Sequence, residues 1–290
     1  MYYTKLYPKT KAYGKTFEDV RQFLLKHNEM LKNIHFHWSR WEWMFARDSF
    51  QTEDLSLITL FMKDNQIKGL LSIEDEPGVY FLVYDDSQEL KDFIINYMVE
   101  NNIQDDIIIP NDEDMKQRLL SLNYEQTDWI DPVTRLNNGP IELPETPGYD
   151  IVSLEEDYRL DQIHHALWRG FDHGDEMDYS KQNLEDRRLM TSSPNFKKYY
   201  TYVAVHNNQY VSYAGVWYEK GTKTALIEPV ATVPEHRKKH LARACIYHAI
   251  QRARNDGATD IFVGSNRSVY LNMGFLPFDY AIRFKKKQQI

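Results

Sequence analysis

Residues 224–257 read TALIEPVATVPEHRKKHLARACIYHAIQRARNDG, and the fold of the chain turns on how they divide. They divide into a strand, a sharp turn, a basic loop and a helix. Ala225 to Val233 alternates and is β-branched toward its end, a strand pattern with Leu226, Glu228, Val230 and Thr232 on one face. Pro229 interrupts it, and a residue with no N–H to give to a ladder calls for a bulge or splay. After Pro234 comes His236-Arg237-Lys238-Lys239-His240. Ala242, Cys245, Ile246, Ala249, Ile250 and Ala253 then recur at helical spacing, and Gly257 is a natural stop. The first amides of a helix have no intrahelical acceptor and sit at the positive end of its dipole. Set among cations, they suit an anion, with a phosphorylated ligand as the first expectation and a solvated basic turn as the plain alternative.

The stretch resembles the acetyl-CoA motif of GCN5-related N-acetyltransferases. That family has a strand ending in V-x-P, then Arg or Gln, two variable residues, Gly, one variable residue, and Gly or Ala. Thr232-Val233-Pro234 stands at the strand end, and Arg237, His240 and Ala242 stand in the loop positions, with His240 replacing the usual glycine. Downstream, Asp260 to Gly264 (DIFVG) reads as the next strand and Asn266 follows it. Tyr270-Leu271-Asn272-Met273-Gly274-Phe275 is similar to the family's Y-x-x-x-G-F ending. The resemblance covers roughly residues 149–285, in the family's order.

At 290 residues the chain is long for one domain and comfortable for two. Its apolar fraction of 42% is ample for buried cores. A single cysteine, Cys245, rules out an internal disulfide, fits a reducing cytoplasm, and falls on an apolar helix face where packing is its expected role. The N-terminal residues lack a signal-peptide core, and no apolar run reaches membrane-spanning length. The net charge of -8 argues against a nucleic-acid partner. It is unevenly divided. Residues 1–145 hold 15 Lys and Arg against 26 Asp and Glu, a balance of -11, and the remainder holds 20 against 17, a balance of +3. A polyanion such as coenzyme A is expected on the less acidic side.

In the first half, Phe17 to about Lys32 is a helical pattern with Val20, Phe23, Leu24 and Leu31 on one side. Phe36 to Phe50 is rich in aromatics. Ser56–Met62, Gln66–Ile73 and Val79–Tyr84 read as strands, Leu90–Val99 as a helix, Asp106–Ile109 as a strand, Asp112–Leu122 as a helix, and Asp128 to Leu136 as a last strand. Asn138-Gly139-Pro140 through Gly148 is the best linker. The second half repeats the order. Tyr149–Ser153 is a strand, Asp157–Phe171 and Leu184–Met190 are helices, and Tyr200–His206 and Tyr210–Tyr218 are strands. The stretch quoted above follows, then DIFVG, a short helix at Tyr270 and a closing strand at Ala281–Phe284. The fold expected is α/β (α+β): two tandem GNAT-like domains, each a mixed, mostly antiparallel sheet flanked by helices. Residues 1–140 would form a degenerate domain and 149–290 the acetyl-CoA-binding acetyltransferase domain. The degeneracy lies at Val79 to Ser87, where Asp85 and Asp86 stand in place of cations.

The resemblance implies roles for particular residues. The amides from Lys238 through Lys239, His240 and Leu241 to Ala242 would hold pyrophosphate, aided by the charges of Arg237 and the lysines, and a helical backbone at His240 would keep its amide available. The backbone of Val230, Ala231 and Thr232 would pair with the pantetheine arm like an added strand, and Asn266 would contact it. Tyr270 would be the general acid for the thiolate and Glu228 the base for the amine. The plain alternatives are a packed aromatic and a charge paired with a lysine. Asp172, His173, Asp175, Glu176 and Asp178 would form an acidic loop over a cationic acceptor, or a solvated charge run. His35-x-His37 and His164-His165 lack neighbours at metal-ligand spacing, so no metal is expected. The expected activity is transfer of acetyl from acetyl-CoA to an amine of a small molecule or peptide, without a nucleic-acid or membrane partner. A non-catalytic acyl-CoA sensor and an aminoacyl transferase of the same fold are the alternatives.

Overall fold

The computed structural model describes residues 1–287 except Asp48, Asp75, Asp178 and Ser180, and except the side chains of residues 181–183. The chain divides into two units. One comprises Met1–Phe45, Ser49–Val133 and Phe278–Ile290, the other Ala46–Asp48 and Thr134–Pro277.

The first unit runs β1 (Tyr2–Leu6), α1 (Lys15–Glu29), α2 (Trp38–Phe45), β2 (Thr59–Lys63), β3 (Gln66–Ser72), β4 (Val79–Tyr84), α3 (Gln88–Glu100), β5 (Asp106–Pro110), α4 (Glu113–Ser121) and most of β6 (Tyr124–Leu136). Strands β1 to β4 pair antiparallel in chain order. β4 and β5 are parallel, with Val79 beside Asp106 and Phe81 beside Ile108. No tight turn can join parallel neighbours, so α3 makes the crossover. Phe17, Val20, Phe23 and Leu24 of α1 are buried as the periodicity predicts, but the helix ends at Glu29 and Leu31 lies past it in a left-handed conformation. Phe36, Trp38, Trp41 and Phe45 from the aromatic run are buried in this unit's core. His35 and His37 are buried there too. Burial, with the positive charge of Arg40, pushes both down to about pH 3, so they are neutral.

The second unit runs β7 (Asp150–Ser153), α5 (Leu160–Gly170), α6 (Lys181–Ser192), β8 (Thr201–His206), β9 (Gln209–Tyr218), β10 (Thr224–Thr232), α7 (Leu241–Asn255), β11 (Asp260–Val263), α8 (Ser268–Leu271) and the start of β12 (Phe275–Lys286). β7 to β10 pair antiparallel in order, β10 and β11 are parallel, and α7 is the crossover. The core lies where α7 covers the sheet. Ala244, Cys245, Ile246, Ala249, Ile250 and Ala253 are at most 1% exposed, and burial raises the Cys245 thiol to about 12, so it packs as an inert thiol.

The closing strands are where the units depart from the two expected segments. β12, the last strand of the chain, pairs antiparallel with β5 in the first unit, from Ala281 beside Pro110 to Phe284 beside Ile107. Arg283 adds an ion pair to Asp106 at 2.6 Å. The end of β6 pairs with β11 in the second unit, Arg135 beside Phe262 and Thr134 beside Val263. A cut at the linker of residues 138–148 would therefore take a sheet neighbour from each unit. Among the described residues, no helix is long and apolar enough to cross a membrane.

Candidate functional site

The site in the second unit begins at Pro229. Ile227 pairs with Val216 and Val230 with Ala214, so Glu228 and Pro229 together oppose Gly215 alone. This is the expected bulge, with the Glu228–Pro229 peptide cis. Gly215 makes it possible, since a Cβ there would lie 2.7 Å from Glu228 O. The bulge also changes which side chains share a face. Ala225, Ile227 and then Val230 pack into the α7-side core, whereas Leu226 lies outside it. The single face expected for Leu226, Glu228, Val230 and Thr232 is broken there. Beyond the bulge, Ala231 meets the end of α5 at Gly170, where a Cβ would come within 2.6 Å of Ala231 Cβ and 2.9 Å of Thr232 N.

After β10 the chain makes a short 3-10 turn at Pro234–His236 and enters the basic loop. Lys238 and His240 both take left-handed backbones, φ 62° and 61°. The helical backbone expected at His240 is thus corrected, because this residue adopts the conformation that glycine favours. An L-residue there costs roughly 1–2 kcal/mol. Ala244 N–H donates to His240 O. The amides of Leu241, Ala242 and Arg243 therefore precede the first intrahelical acceptor, at the positive end of a 15-residue helix.

Arg237 is not a free phosphate ligand. Its Nε donates to Thr232 O at 3.0 Å, and its Nη2 donates to Gly170 O at 3.0 Å and to Asp172 Oδ1 at 2.7 Å. The guanidinium ties the loop to the end of β10 and the end of α5. Lys239 turns to Tyr149, donating to its hydroxyl at 2.8 Å with the ammonium 5.5 Å from the ring centre. Lys238 is exposed and stays with the site.

These elements enclose a cleft of about 760 Å³. Its lining brings together Val230, Ala231, Thr232, Arg237, Lys238, His240, Leu241, Ala242, Tyr270 and Asp172 from the expected set. It also includes Gly170, Phe171, Arg243, Arg267 and Ser268, which the motif does not single out. Gly170-Phe171 was detectable only as the end of a helical pattern. Arg267 flanks the expected Asn266, which is exposed and outside the lining. Tyr270 is half-buried, edge-on to Phe275 with ring centres 5.9 Å apart. Burial pushes its hydroxyl up to about 12, Arg267 opposes the shift and Glu228 adds to it, so Tyr270 stays protonated across the neutral range. Glu228 is half-buried at the bulge, near enough to act on Tyr270, but is not part of the cleft lining.

The acidic loop is largely committed. Asp172 pairs with Arg237 at 2.7 Å, and Asp175 with Arg169 at 3.0 Å. Arg169 also binds Glu235. His173 packs against Trp168, its amide donating to Trp168 O. Glu176 is exposed, and Asp178 lies outside the described residues. His165 meets Tyr210 O through Nδ1, and His164 is buried against Trp168 and Tyr179. No group of three or more His, Cys, Asp or Glu with metal-holding geometry occurs among the described residues.

Residues 160–275 match the family model described as Acetyltransferase (GNAT) family. No curated protein matches the sequence. Among solved structures, an acetyltransferase from the GNAT family of Colwellia psychrerythraea superposes with TM-score 0.60 and 12% identity, covering 99% of this chain and 100% of that one. A GCN5-related N-acetyltransferase from Sphaerobacter thermophilus gives 0.56 and 13%, covering 82% and 83%. A tandem GNAT protein from the clavulanic acid biosynthesis pathway gives 0.56 and 12%, covering 80% and 83%. At such identities the likeness is one of fold.

Proposed function

We propose that this chain, which belongs to the acetyltransferase (GNAT) family, transfers an acetyl group from acetyl-CoA to the nitrogen of an amine, with the chemistry in its second unit. The observation that carries the reading is the cleft, where a bulged strand end, a helix terminus with unsatisfied amides and a protonated tyrosine meet. The residues present fit the ligand. Leu241, Ala242 and Arg243 offer amides to the pyrophosphate, and Lys238 adds a positive charge that salt would screen. Arg237 acts indirectly, by holding the loop in shape. The backbone of Val230 to Thr232 pairs with β9 on one side and lies past the β10–β11 pairs, which end at Leu226, so its other edge is the one that would pair with the pantetheine arm.

Acetyl-CoA would supply an activated acyl carbon and a thiolate leaving group. The protein's part is mostly to position that carbon against the amine. As the C–N bond forms and the C–S bond breaks, Tyr270 gives its proton to the departing sulfur. Glu228, outside the lining, takes the amine's proton through water. We read the first unit as a degenerate copy of the same fold that binds no acetyl-CoA, and a cytoplasmic location fits the single buried cysteine.

The test is release of free coenzyme A from acetyl-CoA by the full chain, with and without a panel of amines. Amine-dependent release that falls in Tyr270→Phe is expected. Tight acetyl-CoA binding with no amine-dependent release would instead identify an acyl-CoA sensor.

A further inference from the structure

Charge burial separates one residue of the second unit from the others. Lys91, only 3% exposed, is met by Asp86, Asp112 and Asp114. Arg21 has Glu18, and Arg40 has Glu74 and Asp131. Arg254 donates to the carbonyls of Gly139 and Asn137. Arg187, on α6, has none of these. The side chain is half-buried, its Nε is buried without a hydrogen-bond partner, and no ion pair to a carboxylate occurs among the described residues, although the charge of neighbouring Asp186 favours the cation. Burial lowers its pKa, the cost of holding a cation away from water.

A second under-satisfied donor stands beside it. Tyr213, fully buried on β9, has a hydroxyl with no hydrogen bond of good geometry; the Thr201 side chain lies near it, and it and Arg187 sense each other's charge. In the β9–β10 register Tyr213 lies directly opposite Ala231, so both side chains emerge on the face that α5 covers. Ala231 belongs to the strand end that lines the cleft. The two donors therefore lie one strand away from the segment assigned to the pantetheine arm. Trp168, on the helix that packs on α6 and β9, has a partnerless indole N–H as well.

We infer that the acceptor amine carries an oxyanion, a carboxylate or a phosphate, and that Arg187 and Tyr213 receive it. This rests on the acetyl-transfer reading for the identity of the reaction, though not for the anion site. A guanidinium edge matches a carboxylate or phosphate with two parallel hydrogen bonds, and a hydroxyl supplies a third donor. Natural proteins seldom bury one edge of a cation without an acceptor, and a ligand that meets that edge accounts for this one. The acidic loop no longer argues for a purely cationic acceptor, because Asp172 and Asp175 are already paired with arginines.

The experiment offers the full chain matched amines: an amino acid and its amide, an amino sugar and its phosphate. In at least one pair the charged member should have a kcat/KM higher by about tenfold. Arg187→Gln should bring that ratio near one through the KM of the charged member, leaving the KM for acetyl-CoA unchanged. The pair that responds identifies carboxylate or phosphate. Melting measurements judge the site without turnover. Arg187→Met should melt at or above the wild type, because an apolar chain replaces a half-buried cation that carries an unsatisfied donor. Acetate, but not acetamide, should raise the wild-type melting temperature at constant ionic strength. That rise should vanish in Arg187→Met and persist in Lys238→Glu. Equal rates within every pair, or a large melting loss in Arg187→Met with the acetate response intact, would overturn the inference. A chain that acetylates nothing yet shows the Arg187-dependent acetate response would sink the acetyl-transfer reading and leave the anion site standing.

Discussion

The two strand-to-helix junctions of this chain, β4 to α3 and β10 to α7, occupy the same place in the order of elements and treat the helix terminus in opposite ways. At the first, Ser87 caps α3 by accepting from Leu90 N–H at 3.4 Å. Asp85 pairs with His27 at 2.8 Å and Lys68 at 3.3 Å, and Asp86 with Lys91 at 3.0 Å. The junction satisfies itself. At the second, a longer loop takes two left-handed residues, His240 makes no side-chain cap, and the first amides of α7 open into a cleft with Lys238 at its edge. A helix terminus becomes a binding site when its own side chains leave it unsatisfied. The connectivity permits either outcome; a few residues between strand and helix decide.

If only the second junction is chemical, the largest effect belongs to Tyr270. Tyr270→Phe should lower kcat by about 100-fold, or about 2.7 kcal/mol, with little change in acetyl-CoA affinity. Single-turnover rates check this, and wild-type rates with chemistry limiting would return Tyr270 to the packed aromatics. The first junction should respond in stability alone. Lys91→Met strands carboxylates at the start of α3 and α4 and should cost about 2 kcal/mol in denaturant melts, after allowance for their partial exposure, while acetyl-CoA affinity holds. A fall in that affinity would mean the first junction takes part in binding.

The same cluster carries a pH signature. Burial works to raise the Asp112 carboxyl, but hydrogen bonds from Lys91, the Met115 amide and Tyr84 outweigh it and hold the carboxyl below its ordinary value. A carboxyl lowered in the folded state stabilises above its unfolded pKa of about 3.9 and loses that contribution as pH falls through the folded value. Acid melts should show the wild type losing its advantage over Lys91→Met below about pH 4.

Two smaller effects sharpen the contrast at the second junction. Lys238→Glu should weaken acetyl-CoA binding by about tenfold, less at high salt, because it reverses a screened charge without touching the amides. An unchanged calorimetric affinity at low salt would remove Lys238 from the site. His240→Gly should keep acetyl-CoA binding and raise stability by up to about 1 kcal/mol, since glycine accepts the left-handed backbone freely but loses more entropy on folding. Abolished binding would instead make the imidazole a required ligand.

Much of this was legible in the chain itself. Pro229 called for a bulge, and the period of Cys245, Ile246, Ala249 and Ile250 marked the buried face of α7. Such features depend on residues within a turn or two of one another, so a sequence window contains their causes. Arg237 shows where that reach ends. Its charge pointed to a phosphate, but its partners are Thr232 O, Gly170 O and Asp172, and the last two come from the end of α5 and the turn after it, far back in the chain. Glu228 shows the same limit, because the bulge that Pro229 announced also broke the alternation meant to aim its side chain.

By itself, then, the sequence determined most of the strands and helices and their order in each half, though it singled out neither β1 nor α2. Only the tertiary structure decided which strand closes which unit, with β12 beside β5 and the end of β6 beside β11. Two β-rich segments look alike to a pattern, and their pairing depends on distant partners that satisfy their backbone hydrogen bonds and bury their side chains. Arg187 is of the same kind. An arginine on a polar helix reads as a surface charge, and its Nε became a buried donor without an acceptor only when α6 packed against α5 and brought it near Tyr213 of β9.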